Sequence, residues 1–311
     1  MRHDDGKIGL SECALFGDRG LGYVYTSRGR GDRGLGKCKR TREIVAFFCS
    51  QTFHTASLDS RDCGVASKKF KGKVCVYCGQ GSSTGRDHVF AREFFVAGGN
   101  QVLPQVPACA KCNGEKATLE HYLTALLPFG GRHAKARENL ETMVPPRLNK
   151  NKKLHHHLAA RTRTVWARER TGLLLPTMTL PLDFARVEAL FTFIVKGLVW
   201  YHWQTYLTSD HFVTVLALSQ HGEAVFDRKF FQANARDRVA SNLDNGTFLY
   251  EGVQGVDRPD ITAWRFLVYG GATFGGDPRR PEIGSSVIGA FTGPRRVLTY
   301  AALRARYAPG I

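Results

Sequence analysis

The chain has 311 residues, more than a typical domain of roughly 100–200, so two folded units with appendages are expected. Hydrophobic residues make up 43% of the chain, which excludes disorder along its whole length. Its net charge of +17, from 44 Lys and Arg against 27 Asp and Glu, favours a polyanionic partner, either nucleic acid or an acidic membrane surface.

The sequence argues against membrane insertion and export. No apolar run reaches the roughly 18 residues needed to cross a bilayer, and the N-terminus lacks the apolar core of a secretory signal. Eight cysteines are too sparse for a disulfide scaffold of the small secreted type. We therefore expect a cytoplasmic protein with no membrane partner.

The pattern along the chain predicts an α+β protein in four segments. Residues 1–68 open with a Gly- and Arg-rich stretch that predicts disorder, and they are compatible with a non-native extension from a misplaced start. Residues 69–131 predict a small strand–strand–helix module, with strands at Asp87–Phe95 and Val102–Val106 and a helix over Ala108–Leu127.

Residues 132–170 form a basic linker with the strongest charge excess, +8. The pattern predicts a helix broken at Pro145-Pro146 and then a second basic helix through Arg170. Residues 74–131 carry no net charge, so the flanking segments would supply the long-range attraction for a polyanion.

Residues 171–311 predict a separate α+β domain of unassigned role. Asp183 would cap a long apolar helix through Leu207. Four strands are predicted after it, at Phe212–Leu218, Thr247–Val253, Ala263–Tyr269 and Ser286–Phe291. Asn245-Gly246 predicts a hairpin turn.

Two Cys-x-x-Cys pairs predict a structural zinc site. Cys75 and Cys78 form the first pair, and Cys109 and Cys112 form the second. Two intervening residues let both thiolates of a tight turn face one ion, and two such turns complete a tetrahedron. The other cysteines, Cys13, Cys38, Cys49 and Cys63, show no such spacing.

Polar residues around the second pair indicate catalysis. Adjacent residues on an extended chain point to opposite faces, so Asp87 could bind a metal while His88 meets a water. Asn113 follows Cys112, and oxygen donors from Asp and Asn suit a hard ion such as Mg²⁺. Lys116, one turn later, would contact a phosphate oxygen or lie solvated on the helix.

The block from about Val74 to Leu127 resembles the HNH nuclease family, whose ββα-metal module is often clamped by two Cys-x-x-Cys pairs. The resemblance covers about a sixth of the chain and rests on the following matches: Cys75-x-x-Cys78, Arg86-Asp87-His88-Val89-Phe90, Gly98-Gly99-Asn100 and Val106-Pro107-Ala108-Cys109-x-x-Cys112-Asn113-x-x-Lys116.

By this resemblance His88 is the general base, and Asp87 and Asn113 hold the catalytic metal. Asn100 would orient His88, but it lies nine residues before Cys109, where the family usually has six or seven. Gln105 is the alternative for this role.

The sequence thus predicts a metal-dependent DNA endonuclease that hydrolyses phosphodiester bonds. Zn²⁺ would be structural and Mg²⁺ or Mn²⁺ catalytic, with RNA as a further substrate and a homodimer also compatible. Basic residues at 132–170 would bind the phosphates of the nucleic-acid backbone. The alternatives are a catalytically inactive, zinc-stabilised nucleic-acid-binding protein and a basic scaffold that recruits partners through residues 171–311.

Overall fold

A computed structural model describes residues 21–27, 69–96, 102–168, 172–274 and 284–296. The predicted α+β class is confirmed within these ranges. The helices are α1 (Ala110–Leu126), α2 (Ala134–Thr142), α3 (Val144–Lys150), α4 (Lys152–Arg161), α5 (Phe184–Trp203) and α6 (Gln220–Phe226). The strands are β1 (Leu21–Ser27), β2 (Gly85–His88), β3 (Gln105–Ala108), β4 (Arg163–Arg168), β5 (Leu174–Asp183), β6 (His211–Ser219), β7 (Asp237–Leu243), β8 (Phe248–Gln254), β9 (Thr262–Val268) and β10 (Ser285–Pro294).

The first part is a two-stranded hairpin followed by a helix, in the predicted order. β2 and β3 pair antiparallel, with His88 opposite Gln105 and Gly85 opposite Ala108. The first strand is shorter than predicted because the chain leaves it after His88 and forms a 3-10 turn at Arg92–Phe94. α1 continues as a 3-10 turn through Pro128 to Gly130.

The basic segment departs from the two predicted helices. Pro145 stands in the first turn of α3, where a missing N–H costs nothing, so it begins a helix rather than breaking one. The side chain of Asn151 caps α4 by accepting from the N–H of Leu154 at 3.0 Å. Residues 163–168, predicted as helix, form β4 instead, since their β-branched and aromatic residues suit a strand.

β4 belongs to a three-stranded antiparallel sheet in the order β1-β5-β4. β1 pairs with β5 over its whole length and lies within the segment predicted as disordered; the rest of 1–68 lies outside the described residues. β5 was not predicted from the sequence.

The C-terminal part is a five-stranded antiparallel sheet in the order β6-β10-β9-β8-β7. It contains the four predicted strands with shifted ends, and β7 in addition. The predicted turn joins β7 to β8, and Asn245 adopts φ 52° there. Asp183 caps α5 as predicted by accepting from the N–H of Ala185 at 3.1 Å, and the helix ends at Trp203, where Gln204 turns left-handed.

The hairpin–helix part and the C-terminal sheet share one continuous hydrophobic core. Phe90 follows β2 directly, and its ring centroid lies 4.6 Å from that of Phe248 in β8. A Cβ on Gly197 of α5 would lie 2.8 Å from a methyl group of Val89, so the helix and the end of β2 are in close contact. The predicted boundary at residue 171 therefore does not separate two cores.

Within the described ranges, no helix is both long and apolar enough to span a bilayer.

Candidate active site and metal centre

The two Cys-x-x-Cys pairs come together into one cluster. The Sγ atoms of Cys75, Cys78, Cys109 and Cys112 all lie within 4.8 Å of one another. The first pair forms a tight turn in which the N–H of Gly79 donates to the carbonyl of Cys75 at 2.8 Å. Gly79 has φ +71°, a conformation that glycine adopts without a steric penalty. The second pair lies at the start of α1.

Backbone hydrogen bonds fix the two pairs relative to each other. The N–H of Val76 donates to the carbonyl of Pro107 at 3.0 Å, and that of Thr84 to Ala108 at the same distance. The thiols therefore converge because β3 runs beside the first turn immediately before α1 begins. The cluster thus ties the hairpin to the helix.

The thiols of the cluster have unequal proton affinities. Burial raises the pKa of the Cys75 thiol. Burial also opposes ionisation of Cys78, but backbone hydrogen bonds from Gln80 and Gly81 outweigh it and lower the pKa of Cys78 to about 7. A bound cation would stabilise all four groups as thiolates, and four thiolates are a typical zinc ligand set. The predicted residues therefore fit a zinc ion. The other four cysteines lie outside the described residues.

His88 ends β2 at a partly buried position between two polar side chains. Its Nε2 lies 3.0 Å from Nε2 of Gln105 and 3.2 Å from a terminal nitrogen of Arg92. Because a guanidinium only donates, Nε2 of His88 accepts in this arrangement and Nδ1 carries the proton. Burial, followed by the charge of Arg92, lowers the pKa of His88 to about 4, so the imidazole is neutral at pH 7.

Asp87 faces away from His88, as the extended strand predicted, and belongs to a buried polar network. Its Oδ2 accepts from the hydroxyl of Tyr77 at 2.6 Å and lies 3.0 Å from Nζ of Lys116. Lys116 also donates to the backbone carbonyl of His88 at 2.7 Å and to the carboxylate of Glu120. Burial raises the pKa of Glu120 to about 7, although the charge of Lys116 opposes this.

The position of Lys116 shows that both predictions for this residue, contact with a phosphate oxygen and a solvated position on the helix, are wrong. Its side chain is 0% exposed, and three protein acceptors surround its ammonium group. It is therefore neither solvated nor able to reach a phosphate in this arrangement. Lys116 instead joins α1 to β2 as a buried cation.

The other predicted residues have different outcomes. Asn113 is exposed in the first turn of α1, and no hydrogen bond of its side chain occurs among the described residues. Asn100 lies outside the described residues, and Gln105, the alternative, is the amide beside His88. Arg92 was missed. It becomes a neighbour of His88 because the chain turns directly after β2, and the strand predicted through Phe95 concealed this turn.

The predicted site for Mg²⁺ or Mn²⁺ fits only in the type of its donors. Carboxylate and amide oxygens suit a hard cation, but one oxygen of Asp87 is already held by Tyr77 and Lys116. A second cation would also lie close to the Lys116 ammonium and be repelled by it. Among the described residues, the four cysteines are the one group of three or more His, Cys, Asp and Glu close enough to hold an ion.

Comparison of the chain with protein-family profiles, with curated proteins and with solved structures gives no match.

Proposed function

We propose that this protein is an HNH-type DNA endonuclease, a phosphodiester hydrolase with a structural Zn²⁺ held by Cys75, Cys78, Cys109 and Cys112. The observation that carries the proposal is the pairing of a neutral His88, at the end of β2, with an exposed Arg92, 3.2 Å away in the turn that follows. A neutral imidazole can take a proton from water, and a guanidinium can bind a phosphate through two parallel hydrogen bonds.

In the proposed mechanism, Arg92 moves from His88 to the scissile phosphate. Among the described residues Arg92 has no carboxylate partner, so binding a phosphate breaks no ion pair. Once Arg92 has left, His88 exchanges its proton with water, losing one from Nδ1 and gaining one at Nε2, and the amide of Gln105 rotates so that its oxygen accepts from Nε2–H. Nδ1 becomes the free base that removes a proton from the attacking water.

A divalent cation bound to Asp87 and Asn113 would neutralise charge on the phosphate and on the leaving oxygen. The carboxylate and amide oxygens of these two side chains support this part of the proposal.

Nicking of supercoiled plasmid with Mg²⁺ or Mn²⁺, with and without a chelator, tests the proposal. We expect wild-type protein to nick only with metal and His88→Ala to bind the plasmid without nicking it. Arg92→Gln should lower the rate about 10²-fold, the usual cost of losing one donor to a transition state. Arg228→Gln is the control, because Arg228 is also exposed but lies beyond β6, on the C-terminal part.

Full activity of His88→Ala would refute the assignment of the base. Retardation of the plasmid without nicking by the wild-type protein would favour the second candidate, an inactive zinc-stabilised nucleic-acid-binding protein. The ion pair between Asp87 and Lys116 is the observation that supports this candidate, since it occupies part of the predicted metal site.

A further inference from the structure

A basic cleft of about 1000 Å³ lies against the Arg92–Phe94 turn, which follows the strand that ends at His88. One wall is formed by α3 and α4, the opposite wall by α1, and the β5–α5 junction contributes Pro181 and Asp183. Glu93 of the turn also lines the cleft, and its carbonyl accepts from Arg147 at 2.8 Å. The turn that carries Arg92 therefore joins the His88 site to the cleft.

The cleft has a marked excess of positive charge. Five of its lining residues are Lys or Arg and two are Glu or Asp. Arg147 and Arg186 have partners, because Arg147 donates to backbone carbonyls and Arg186 pairs with Asp183 at 3.3 Å. Lys150, Lys153 and Arg161 are exposed and form no ion pair with any residue that the structure describes.

Two of these cations, Lys153 and Arg161, lie on the same line along α4. One face of α4 carries a polar stripe whose members recur every four residues: Lys153, His157 and Arg161. Eight residues of helix span about 12 Å, and one nucleic-acid strand carries a phosphate about every 3.4 Å along a duplex axis. The stripe is therefore long enough to contact more than one phosphate of a strand.

The size of the cleft limits the ligand. A volume of about 1000 Å³ lies at the upper end of the range for pockets that enclose a small ligand. It can take a few nucleotides of one strand. It is too small to enclose a duplex, whose major groove alone is about 12 Å wide.

We propose that this cleft binds the phosphates of a single nucleic-acid strand and so holds the substrate beside His88. The inference rests on the proposed function for the identity of the polymer. The same chemistry would also bind the phosphates of a free nucleotide, and the experiment must distinguish the two sources.

The test uses His88→Ala protein, so that no substrate is cut, and fluorescence anisotropy with a labelled single strand of about 16 nucleotides. The cleft variant is Lys153→Gln with Arg161→Gln. The control is Lys152→Gln with Arg163→Gln, which removes the same charge from exposed neighbours that do not line the cleft. Binding is repeated with the matching duplex and with a nucleoside triphosphate.

We expect the cleft variant to bind the single strand about tenfold more weakly, and the control to stay within about twofold. The slope of log K against log salt should fall by about 1.4 for the cleft variant, about 0.7 for each lost phosphate contact on a single strand. The single strand should bind more tightly than the duplex or the triphosphate.

Equal weakening by both double variants would overturn the inference, because the charges would then act only as a solvated surface. A duplex that binds as tightly as the single strand, or a triphosphate that binds more tightly, would also overturn it. Plasmid nicking on the wild-type His88 background is scored separately. If the protein nicks plasmid but the cleft does not bind the single strand, only this inference is contradicted. If the cleft binds the single strand but the protein does not nick plasmid, only the proposed nuclease activity is contradicted.

Discussion

Replacing Lys116 by methionine tests whether this residue is structural. The ammonium lies between the carboxylates of Asp87 and Glu120, whose side chains are 12% and 16% exposed. Methionine fills a similar volume without the charge or its three donors. Lys116→Met would therefore leave two largely buried carboxylates and the carbonyl of His88 without their shared partner.

The expected cost is a loss of about 3 kcal/mol in the free energy of unfolding. Breaking a buried ion pair by removing one partner typically costs about 3–5 kcal/mol. We expect the lower end, because both carboxylates keep some contact with water and Glu120, with a pKa of about 7, can take up a proton. A loss of this size should lower the urea midpoint by about 1 M.

The measurement is urea unfolding followed by tryptophan fluorescence. Lys111→Met is the matched control, because Lys111 is exposed on the same helix and should change stability by less than about 0.5 kcal/mol. Adding Glu120→Gln to Lys116→Met should restore part of the loss by removing one uncompensated charge. If Lys116→Met is as stable as wild type but no longer nicks plasmid, Lys116 acts on the substrate and our reasoning is wrong.

Two further predictions concern the metal and the core. Cys112→Ser should reduce bound zinc from about one ion per chain, as measured by elemental analysis, and lower the melting temperature, as measured by calorimetry. The control Cys63→Ser should change neither quantity. If Cys112→Ser retained its zinc, the four-thiolate site would be contradicted. Burial lowers the pKa of His202 to about 4, so the unfolded chain binds more protons below pH 6.5 and stability should fall as pH drops from 6.5 towards 4. At pH 5 this group should account for about 2 kcal/mol of the loss in the free energy of unfolding. His202→Gln should remove this part of the loss, and the exposed control His156→Gln should not. Identical pH profiles of stability for the two variants would exclude His202 as the cause.

The local signals in the sequence predicted local structure well. The spacing of the four cysteines predicted their cluster, because each pair closes within one turn and needs only one strand contact to meet the other. Asp183 and Asn245-Gly246 predicted a helix start and a hairpin for the same reason, since a cap or a turn depends on a few neighbouring residues.

The sequence-based predictions failed where the structure depends on contacts between segments that are far apart in the chain. β7 is an edge strand with a mostly exposed or half-exposed pattern, and β5 contains Pro176 and Pro181, so neither resembles a typical apolar strand. The burial of Lys116 depends on Asp87 and on the carbonyl of His88, which lie on β2 and not on its own helix, and spacing alone could not reveal this. In the same way, the stripe on α4 can be read from the sequence, whereas the opposite wall of the cleft cannot.

The shared core gives the C-terminal part a direct influence on the proposed site. Lys196 of α5 donates to the carbonyl of Tyr77, inside the first cysteine turn, at 2.7 Å. Gly197, the next residue, lies against Val89, directly after His88. Because a packed core transmits small displacements, a change in the position of α5 should move the cysteine turn and the end of β2 together. α5, and with it the C-terminal part, is thus a structural support of the hairpin that carries His88.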